Sequence, residues 1–427
     1  MKTKNIFTHL AIALCFASSA QMRVHQINVG QGCATLIEFP CAAILVDTGG
    51  ESNGYYNAPS ALQAYLEDFF DRRRDLNHTL QCVYLTHPHK DHTLGVPVIL
   101  QPPYVIKNVV TDGLERGSGK SGQMKLHQLA QNSETNTSTS DDVGLEAVYV
   151  SEIGTNGFSN GIIDPVNCNG INPDIRILWG ASATNPGWSN ATFDNENNHS
   201  LVIKITYGQS TFLIIGDLED DVQDDLVAKY GSSNTLDSDV YLVGHHGSKN
   251  GTTAVLLNKI TPKIALIGVG AEQRQTNWTA WAYGHPNKGI LQMLQDRLTT
   301  ARTPFHIKAG TGAKTFVDYV ISKGIYATAW DDNIVLETSG DKMWRKVDVN
   351  NLGVTEAALV AMVPEPINLN TASAAELEIL PGIGAVKAQE IVNYRSTNGN
   401  FATVEQLDNV PGIGRATIDL VKPYAKI

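Results

Sequence analysis

The stretch LTHPHKDHTLG, residues 85–95, places His87, His89, Asp91 and His92 within six positions. An apolar run, CVYL, precedes it and a glycine ends it, so these donors sit on a loop leaving a strand. Neutral imidazole suits Zn²⁺ and related ions, and a carboxylate among the rings adds charge and can serve a second ion. A lone histidine pair is usually a surface accident; this density favours a metal cradle. More donors close apolar runs downstream. His199 lies in NNHSLVI, Asp217 ends FLIIGD, and His245 and His246 end VYLVGHHGS. An aspartate placed like Asp217 also caps helices, which gives GDLEDD a purely structural alternative. In GHHGS one histidine reads as a ligand and the other as its support. Order does not separate them, and His245 is taken as the ligand. His285, in YGHP, is either a turn histidine or a donor to a substrate oxygen, with Pro286 suited to start a helix.

Two ions about 3.5–4 Å apart can grip a phosphodiester, lower the pKa of a water to about 7 and stabilise both entering and leaving oxygens. Asp217, Asp91 and His285 are then the catalytic candidates. The same cradle serves β-lactam or thioester hydrolysis, so the ligands alone do not choose the substrate.

The elements that must hold these loops alternate. Residues 22–50 read as a β-hairpin turning at Pro40, and 57–76 as an amphipathic helix. The strand CVYLTH follows, then a polar stretch through GSGKSGQ and NSETNTSTSDD. Strands resume at IRILWG, SLVIKITY, STFLIIGD, VYLVGHHG and KIALIGVG, with helices between and final strands near 324–341. This alternation predicts a mixed sheet flanked by helices.

A chain of 427 residues calls for two or more domains, and 42% hydrophobic with 18% charged residues is a globular composition. The net charge of −11 gives no bulk attraction for nucleic acid. Residues 1–20 have the layout of a secretory signal: Lys2 and Lys4, the apolar LAIALCFA, then the small residues SSA. A short membrane anchor or a buried strand is the alternative. Export is expected, to the periplasm or beyond, with no membrane-spanning segment in the mature chain. Of the five cysteines, Cys15 falls in the signal, leaving Cys33, Cys41, Cys82 and Cys168. If the strands beginning at Cys41 and Cys82 run parallel as neighbours, a Cys41–Cys82 bridge is expected, with buried free thiols as the alternative.

The texture changes over 347–366, a linker, and 367–427 is a separate helical module with an internal repeat. LPGIGAVKAQEI (380–391) recurs as VPGIGRATIDLV (410–421). Pro-Gly-Ile-Gly makes a tight turn between helices. Gly382, Gly384, Gly412 and Gly414 let backbone N–H groups at a helix start approach a phosphate, with Lys387 and Arg415 adding charge. Ile383 and Ile413 are expected to pack between the helices. Such contacts read the backbone, so if DNA is the partner it is expected to be bound without sequence preference. From Glu365 onward five Lys/Arg stand against seven Asp/Glu, so affinity is modest and salt-sensitive. A structural or protein-binding tail is the alternative.

Several of these stretches together resemble the metallo-β-lactamase superfamily, and within it the soluble domain of competence DNA-uptake channel proteins. They are INVGQGCATLI, ILVDTGG, LTHPHKDHTLGV, SLVIKITYGQSTFLIIGD, VGHHGS, YGHP and GIYATAWDDNIVLETSGD, across roughly 24–345. The tail resembles the tandem helix-hairpin-helix module of competence DNA receptors. The resemblance implies an αββα sandwich over 22–346 with a small all-α domain at 367–427, and two divalent ions, zinc or else manganese. It implies one ion on His87, His89 and His199, another on Asp91, His92 and His245 or His246, with Asp217 bridging and Asp47 orienting the ligand loop. Cys33 stands where the competence relatives carry aspartate. Those relatives often lack histidines at the places of His89 and His199, so this ligand set resembles the complete dinuclear hydrolases more. The implied function is an exported, metal-dependent deoxyribonuclease. The alternatives are a non-catalytic DNA receptor or uptake factor, and a phosphodiesterase acting on something other than nucleic acid.

Overall fold

The computed structural model describes residues 21–135, 142–231, 233–348, 367–377, 380, 383–422 and 425–427. The expected signal segment, most of the linker and Gly382 lie outside them. The chain divides between Leu352 and Gly353 into two units.

The first unit holds two mixed sheets rather than the one that strand–helix alternation predicts. Strands β1 (Met22–Gln26), β2 (Thr35–Phe39), β3 (Ala42–Val46), β4 (Cys82–Tyr84), β5 (Asn108–Thr111) and β6 (Gly144–Ala147) belong to the larger sheet. The smaller sheet contains β7 (Pro173–Trp179), β8 (Val202–Tyr207), β9 (Ser210–Ile214), β10 (Val240–Leu242) and β11 (Ile264–Ile267). A long hairpin, β12 (Ala301–Gly312) and β13 (Thr315–Lys323), stands apart, and β14 (Ile325–Ala327), β15 (Ile334–Thr338) and β16 (Arg345–Val347) close the unit. The eight-stranded order is β16-β15-β1-β2-β3-β4-β5-β6 and the six-stranded order is β14-β11-β10-β9-β8-β7.

Pleating explains the layers. In β2 and β3, Ile37, Ile44 and Val46 join the core between the sheets with Ile177, Ile203, Phe212 and Leu242. Their neighbours Leu36, Ala43 and Leu45 turn the other way, onto α1 (Ala58–Arg72) and α2 (Lys120–Thr135). Successive side chains face opposite sides, so a strand buried on both faces reads as an unbroken apolar run. The smaller sheet's outer face packs on α3 (Asp220–Tyr230), α4 (Ala254–Ile260) and α5 (Lys288–Gln295) through Leu226, Leu256 and Leu291. The result is the αββα sandwich. Local chemistry starts its helices where the sequence suggests. Asn57 caps α1 by accepting the Ser60 N–H at 3.1 Å, and Phe69 and Phe70 are fully buried beneath it. Each such ring stabilises the fold by about 1.5–3 kcal/mol. Among the described residues no helix is long and apolar enough to cross a membrane.

β3 and β4 are parallel neighbours, yet the expected Cys41–Cys82 bridge is not formed. The register pairs Cys82 with Ile44, and Cys41 lies before β3 at the hairpin turn. Cys41 is bonded instead to Cys168, 127 residues away. Cys33 and Cys82 are buried free thiols.

The second unit has its own core, in which Ile383 and Ile413 join Leu369, Leu377, Ile391, Phe401 and Val421. Helices α6 (Ala385–Asn398) and α7 (Arg415–Val421) follow the two glycine turns. A two-stranded parallel pairing, Ile367 with Ala425 and Asn368 with Lys426, ties the module's two ends together.

Loop-closure entropy assigns the Cys41–Cys168 link about 3–5 kcal/mol. Replacing both cysteines with alanine is therefore expected to lower the thermal midpoint by roughly 5–10 °C. An unchanged midpoint by calorimetry refutes the link's contribution.

Candidate metal centre

Parallel neighbours bring their C-terminal ends to one edge, and every close donor follows such an end. Asp47 follows β3, His87 to His92 follow β4, Asp217 follows β9, and His246 follows β10. This is where open α/β sheets place their ligands. The loops interlock through their backbones: the Thr48 N–H donates to His92 O at 2.7 Å and the Cys33 N–H to Asp91 O at 3.0 Å. A Cβ on Gly49 would lie 1.9 Å from the Asp91 carbonyl carbon, so only glycine admits this approach.

Asp91, His92, Asp217 and His246 bring one ligand atom each to within 4.8 Å of one another. Their histidines are oriented from behind. His92 Nδ1 donates to Asp47 Oδ2 at 2.8 Å, and Thr86 donates to the same carboxylate through both its N–H and its hydroxyl, each at 2.8 Å. The same hydroxyl lies 3.2 Å from His87 Nδ1. His246 Nδ1 is 2.8 Å from the Gly268 carbonyl, an oxygen that only accepts, so Nδ1 carries the proton and Nε2 is the ligand atom. That Nε2 lies 3.3 Å from Asp91 Oδ2 and 3.4 Å from Asp217 Oδ2.

A divalent ion fits this donor set. His87 Nε2, His92 Nε2 and Asp217 Oδ1 are buried without a hydrogen-bond partner. His92 Nε2 stands 3.2 Å from Asp217 Oδ1, close enough for an ion pair yet out of hydrogen-bond alignment. With Nδ1 committed to Asp47, a neutral His92 turns a lone pair towards a carboxylate, and the repulsion is relieved only by a cation or a proton between them. The electrostatics agree. Burial disfavours a charged His92, but Asp217 and then Asp47 outweigh it and hold its pKa well above the usual range. Burial likewise opposes ionisation of Asp217, and His246, His92 and His245 overcome it, holding the carboxyl well below its usual range. His87 moves the other way, kept neutral by burial and by His92.

The remaining candidates are placed differently. His246 rather than His245 enters the cluster. The His245 ring is tilted out, with Nε2 3.8 Å from Asp217 and Nδ1 3.7 Å from Glu219. Both histidines sit in the left-handed region, as does Asp47, at a cost of order 1–3 kcal/mol each that the surrounding contacts offset. His89 lies against His87, rings 4.7 Å apart, with Nε2 3.4 Å from Glu196. His199 has both ring nitrogens engaged: Nε2 donates to Phe193 O at 2.8 Å and Nδ1 accepts the Ser182 N–H at 3.0 Å. It is not presented as a ligand in this arrangement. His285 is buried, and its Nδ1 accepts from Gln31 Nε2 at 3.2 Å. Burial first, then His245 and His246, lower its pKa to about 3, so the neutral ring carries its proton on Nε2. Thr86, Gln31, Glu196, Glu219 and the Gly268 carbonyl all escape sequence reading, because their type and spacing carry no signal until the loops meet.

In the second unit Gly384 and Gly414 cap α6 and α7 at their N-termini and are exposed. A Cβ at Gly384, Gly412 or Gly414 would meet nothing within 4 Å, so these turns present open backbone. Gly412 is left-handed at φ 81°. Arg415 is exposed at the start of α7, and Lys387 lies in the first turn of α6.

This geometry makes the two adjacent histidines separable. His246→Ala is expected to lose at least about tenfold in affinity for its ion, whereas His245→Ala and His199→Ala retain the parental metal content by elemental analysis. Equal loss in all three variants refutes the assignment.

Comparison with known families agrees with both units. The metallo-beta-lactamase superfamily profile matches residues 27–270, and a helix-hairpin-helix motif matches residues 364–426. ComE operon protein 3 of Bacillus subtilis is 25% identical over 296 residues, which are 67% of this chain and 32% of that protein. ComE operon protein 1 of the same organism is 41% identical over 56 residues, 13% of this chain and 27% of that one. The chain thus spans about a third of the length of the first of these relatives and about a quarter of the second. Among solved structures, the metallo-beta-lactamase fold protein YhfI from Bacillus subtilis aligns with 74% of this chain and all of its own, at 11% identity and a TM-score of 0.38. With its profile match, its two-sheet sandwich and its donors gathered at one sheet edge, the chain belongs to the metallo-beta-lactamase superfamily.

Proposed function

We propose that the protein is an exported, metal-dependent phosphodiesterase, a sequence-nonspecific deoxyribonuclease that holds DNA through its helix-hairpin-helix tail. One observation carries the reading: a buried His/Asp cluster and a helix-hairpin-helix motif occupy the same chain. A β-lactam or a thioester offers such a motif nothing to hold. The Cys41–Cys168 disulfide supports an oxidising compartment, and hence export.

The residues divide the work. Asp91, His92, Asp217 and His246 would hold a divalent ion, with His87 and Asp217 available to a second. Zinc suits the imidazoles, and manganese is the alternative. Bound there, such ions supply charge neutralisation at the phosphoryl oxygens and an acidified water. Asp47 and Thr86 fix the ring angles of His87 and His92, and Gly268 fixes that of His246. His285, neutral and carrying its proton on Nε2, is a hydrogen-bond donor for a phosphoryl or leaving oxygen rather than a general acid. Asp217 lies among His92, His245 and His246, the position from which one carboxylate can serve two ions. The tail raises the local concentration of DNA, as tethering does.

A second reading is a DNA receptor that does not cleave. It is favoured by the engagement of His199 with the backbone, which leaves fewer donors for a second ion.

Incubating supercoiled plasmid with protein lacking residues 1–20, with Mn²⁺ or Zn²⁺, separates the two. The nuclease reading expects nicking or degradation by the parent and a loss of more than about 100-fold in Asp217→Ala. Intact plasmid that is still retarded on a gel transfers the protein to the receptor class. Hydrolysis of another phosphodiester that DNA does not inhibit would instead exclude DNA as the substrate. For the tail, Lys387→Glu with Arg415→Glu is expected to weaken retardation of all sequences alike and to flatten its dependence on salt. A sequence-selective loss contradicts backbone readout.

A further inference from the structure

Beside the metal centre the chain exposes aromatic rings that no step above uses. The segment 270–286, GAEQRQTNWTAWAYGHP, carries Trp278, Trp281 and Tyr283 ahead of His285. Trp278 is 78% exposed and Tyr283 43%. Large apolar side chains left in water next to a functional cleft mark a contact surface. The rings form a ladder leading away from the ligands. His245 and His285 are 6.0 Å apart, and His285 and Tyr283 stack at 5.4 Å with 25° between planes. Tyr283 and Trp278 follow at 6.4 Å. Partial burial and then the charge of Asp91 raise the Tyr283 phenol's pKa, with His246 opposing, so this ring lies within electrostatic reach of the centre.

The ladder is braced. Thr279 caps residues 280–283 by accepting the Ala282 N–H at 3.4 Å, while its own hydroxyl donates to Thr276 O at 2.7 Å. The hairpin of β12 and β13 closes on the segment from outside. A Cβ on Gly284 would sit 2.2 Å from Gly312 O, and the Lys314 N–H donates to Trp281 O at 2.9 Å. Lys314 Nζ lies 5.0 Å over the Trp281 ring, which sets a cation among the aromatics. These contacts fix the backbone that carries Trp278 and Tyr283, so the platform's frame is set before a flat partner stacks on it.

We propose that Trp278 and Tyr283 form a base-stacking platform that makes unpaired DNA, rather than duplex, the strand delivered to the metal centre. The proposal rests on the phosphodiesterase reading for the chemistry at the end of the ladder. In a duplex the base faces are covered by their neighbours, so only an unpaired strand offers a face to Trp278. Aromatic platforms beside a cation are how proteins hold single strands without reading sequence. Stacking also answers the charge problem: a chain of net charge −11 gains little DNA affinity from long-range attraction, and ring stacking needs none.

The test compares a 12-mer of deoxythymidine with an abasic strand of the same length and backbone, bound to the full chain in EDTA and read by fluorescence anisotropy. The tail contacts backbone and contributes equally to both. The parent is expected to bind the thymidine strand about tenfold more tightly than the abasic one, Trp278→Ala to abolish the difference and Trp278→Phe to restore most of it. Hydrolysis of bis(p-nitrophenyl) phosphate by the parent with Mn²⁺ checks the phosphodiesterase reading independently. Equal binding of the two strands, or a difference that survives Trp278→Ala, overturns the platform even if the phosphate ester is hydrolysed. A difference that depends on Trp278 with no hydrolysis of the ester upholds the platform and overturns the phosphodiesterase reading.

Discussion

Asp217 is only 2% exposed, Asp47 only 1%, and both face His92. Carboxylates buried this deeply cost several kcal/mol each unless a positive charge meets them. Much else in the first unit follows from that requirement. Positive charge can come from protons on His92 and His246 or from divalent ions, and the same ring nitrogens serve both. Binding of a divalent ion here would therefore displace protons from the rings. With protons on the rings or with an ion in their place, Asp217 meets positive charge.

The two-sheet architecture exists at this edge because neither sheet alone supplies the set. The larger sheet contributes Asp47, His87, Asp91 and His92, and the smaller contributes Asp217 and His246. Only the face-to-face packing of Ile37, Ile44 and Val46 on Ile177, Ile203 and Leu242 brings the two groups together. The loops in between carry the strain. Asp47, His245 and His246 adopt left-handed backbones that a branched apolar residue would not tolerate, and Gly49 admits a neighbouring backbone where any side chain would collide. Core packing and site geometry are thus coupled, because the strands that pack between the sheets also carry the loops of the cluster.

Parts of this were legible in the sequence. Four donors in six residues after a strand, and an aspartate or histidine ending each of several apolar runs, are local signals, and the fold gathers Asp91, His92, Asp217 and one histidine of the GHHG pair into one cluster. The PGIG repeat announced the second unit, and Ile383 and Ile413 pack as that repeat suggests. What failed to show depends on register and on rotation about single bonds. Whether His245 or His246 turns inward is decided by two left-handed residues and a carbonyl from the loop after β11. His199 reads as a donor by type, but Phe193 and Ser182 occupy its nitrogens, and neither is marked in sequence. The Cys41–Cys82 expectation had the right strand neighbours and the wrong register, and nothing local to Cys168 points to Cys41. Strand alternation alone likewise does not say that one run of strands folds into two sheets.

On the proposed reading an acidic chain holds a polyanion, and it must do so without help from its mean charge. Directed contacts are the physical way out. Backbone N–H groups at Gly384 and Gly414 are fixed dipoles whose pull on a phosphate acts over a few ångströms and leaves the repulsion of distant carboxylates to screening. Divalent ions held by the cluster would reverse the sign of the field where a phosphodiester would sit on the proposed reading, whatever the net charge of −11. A binding mode built from such short-range elements is weak at any one of them and gains from having several on one chain. On the proposed reading it would also favour release, since no long-range field would hold a product once its phosphate left the ions. For the polymer-cleaving enzyme we propose, this would be a useful compromise: capture is distributed over the chain, and chemistry is confined to the cluster of Asp91, His92, Asp217 and His246.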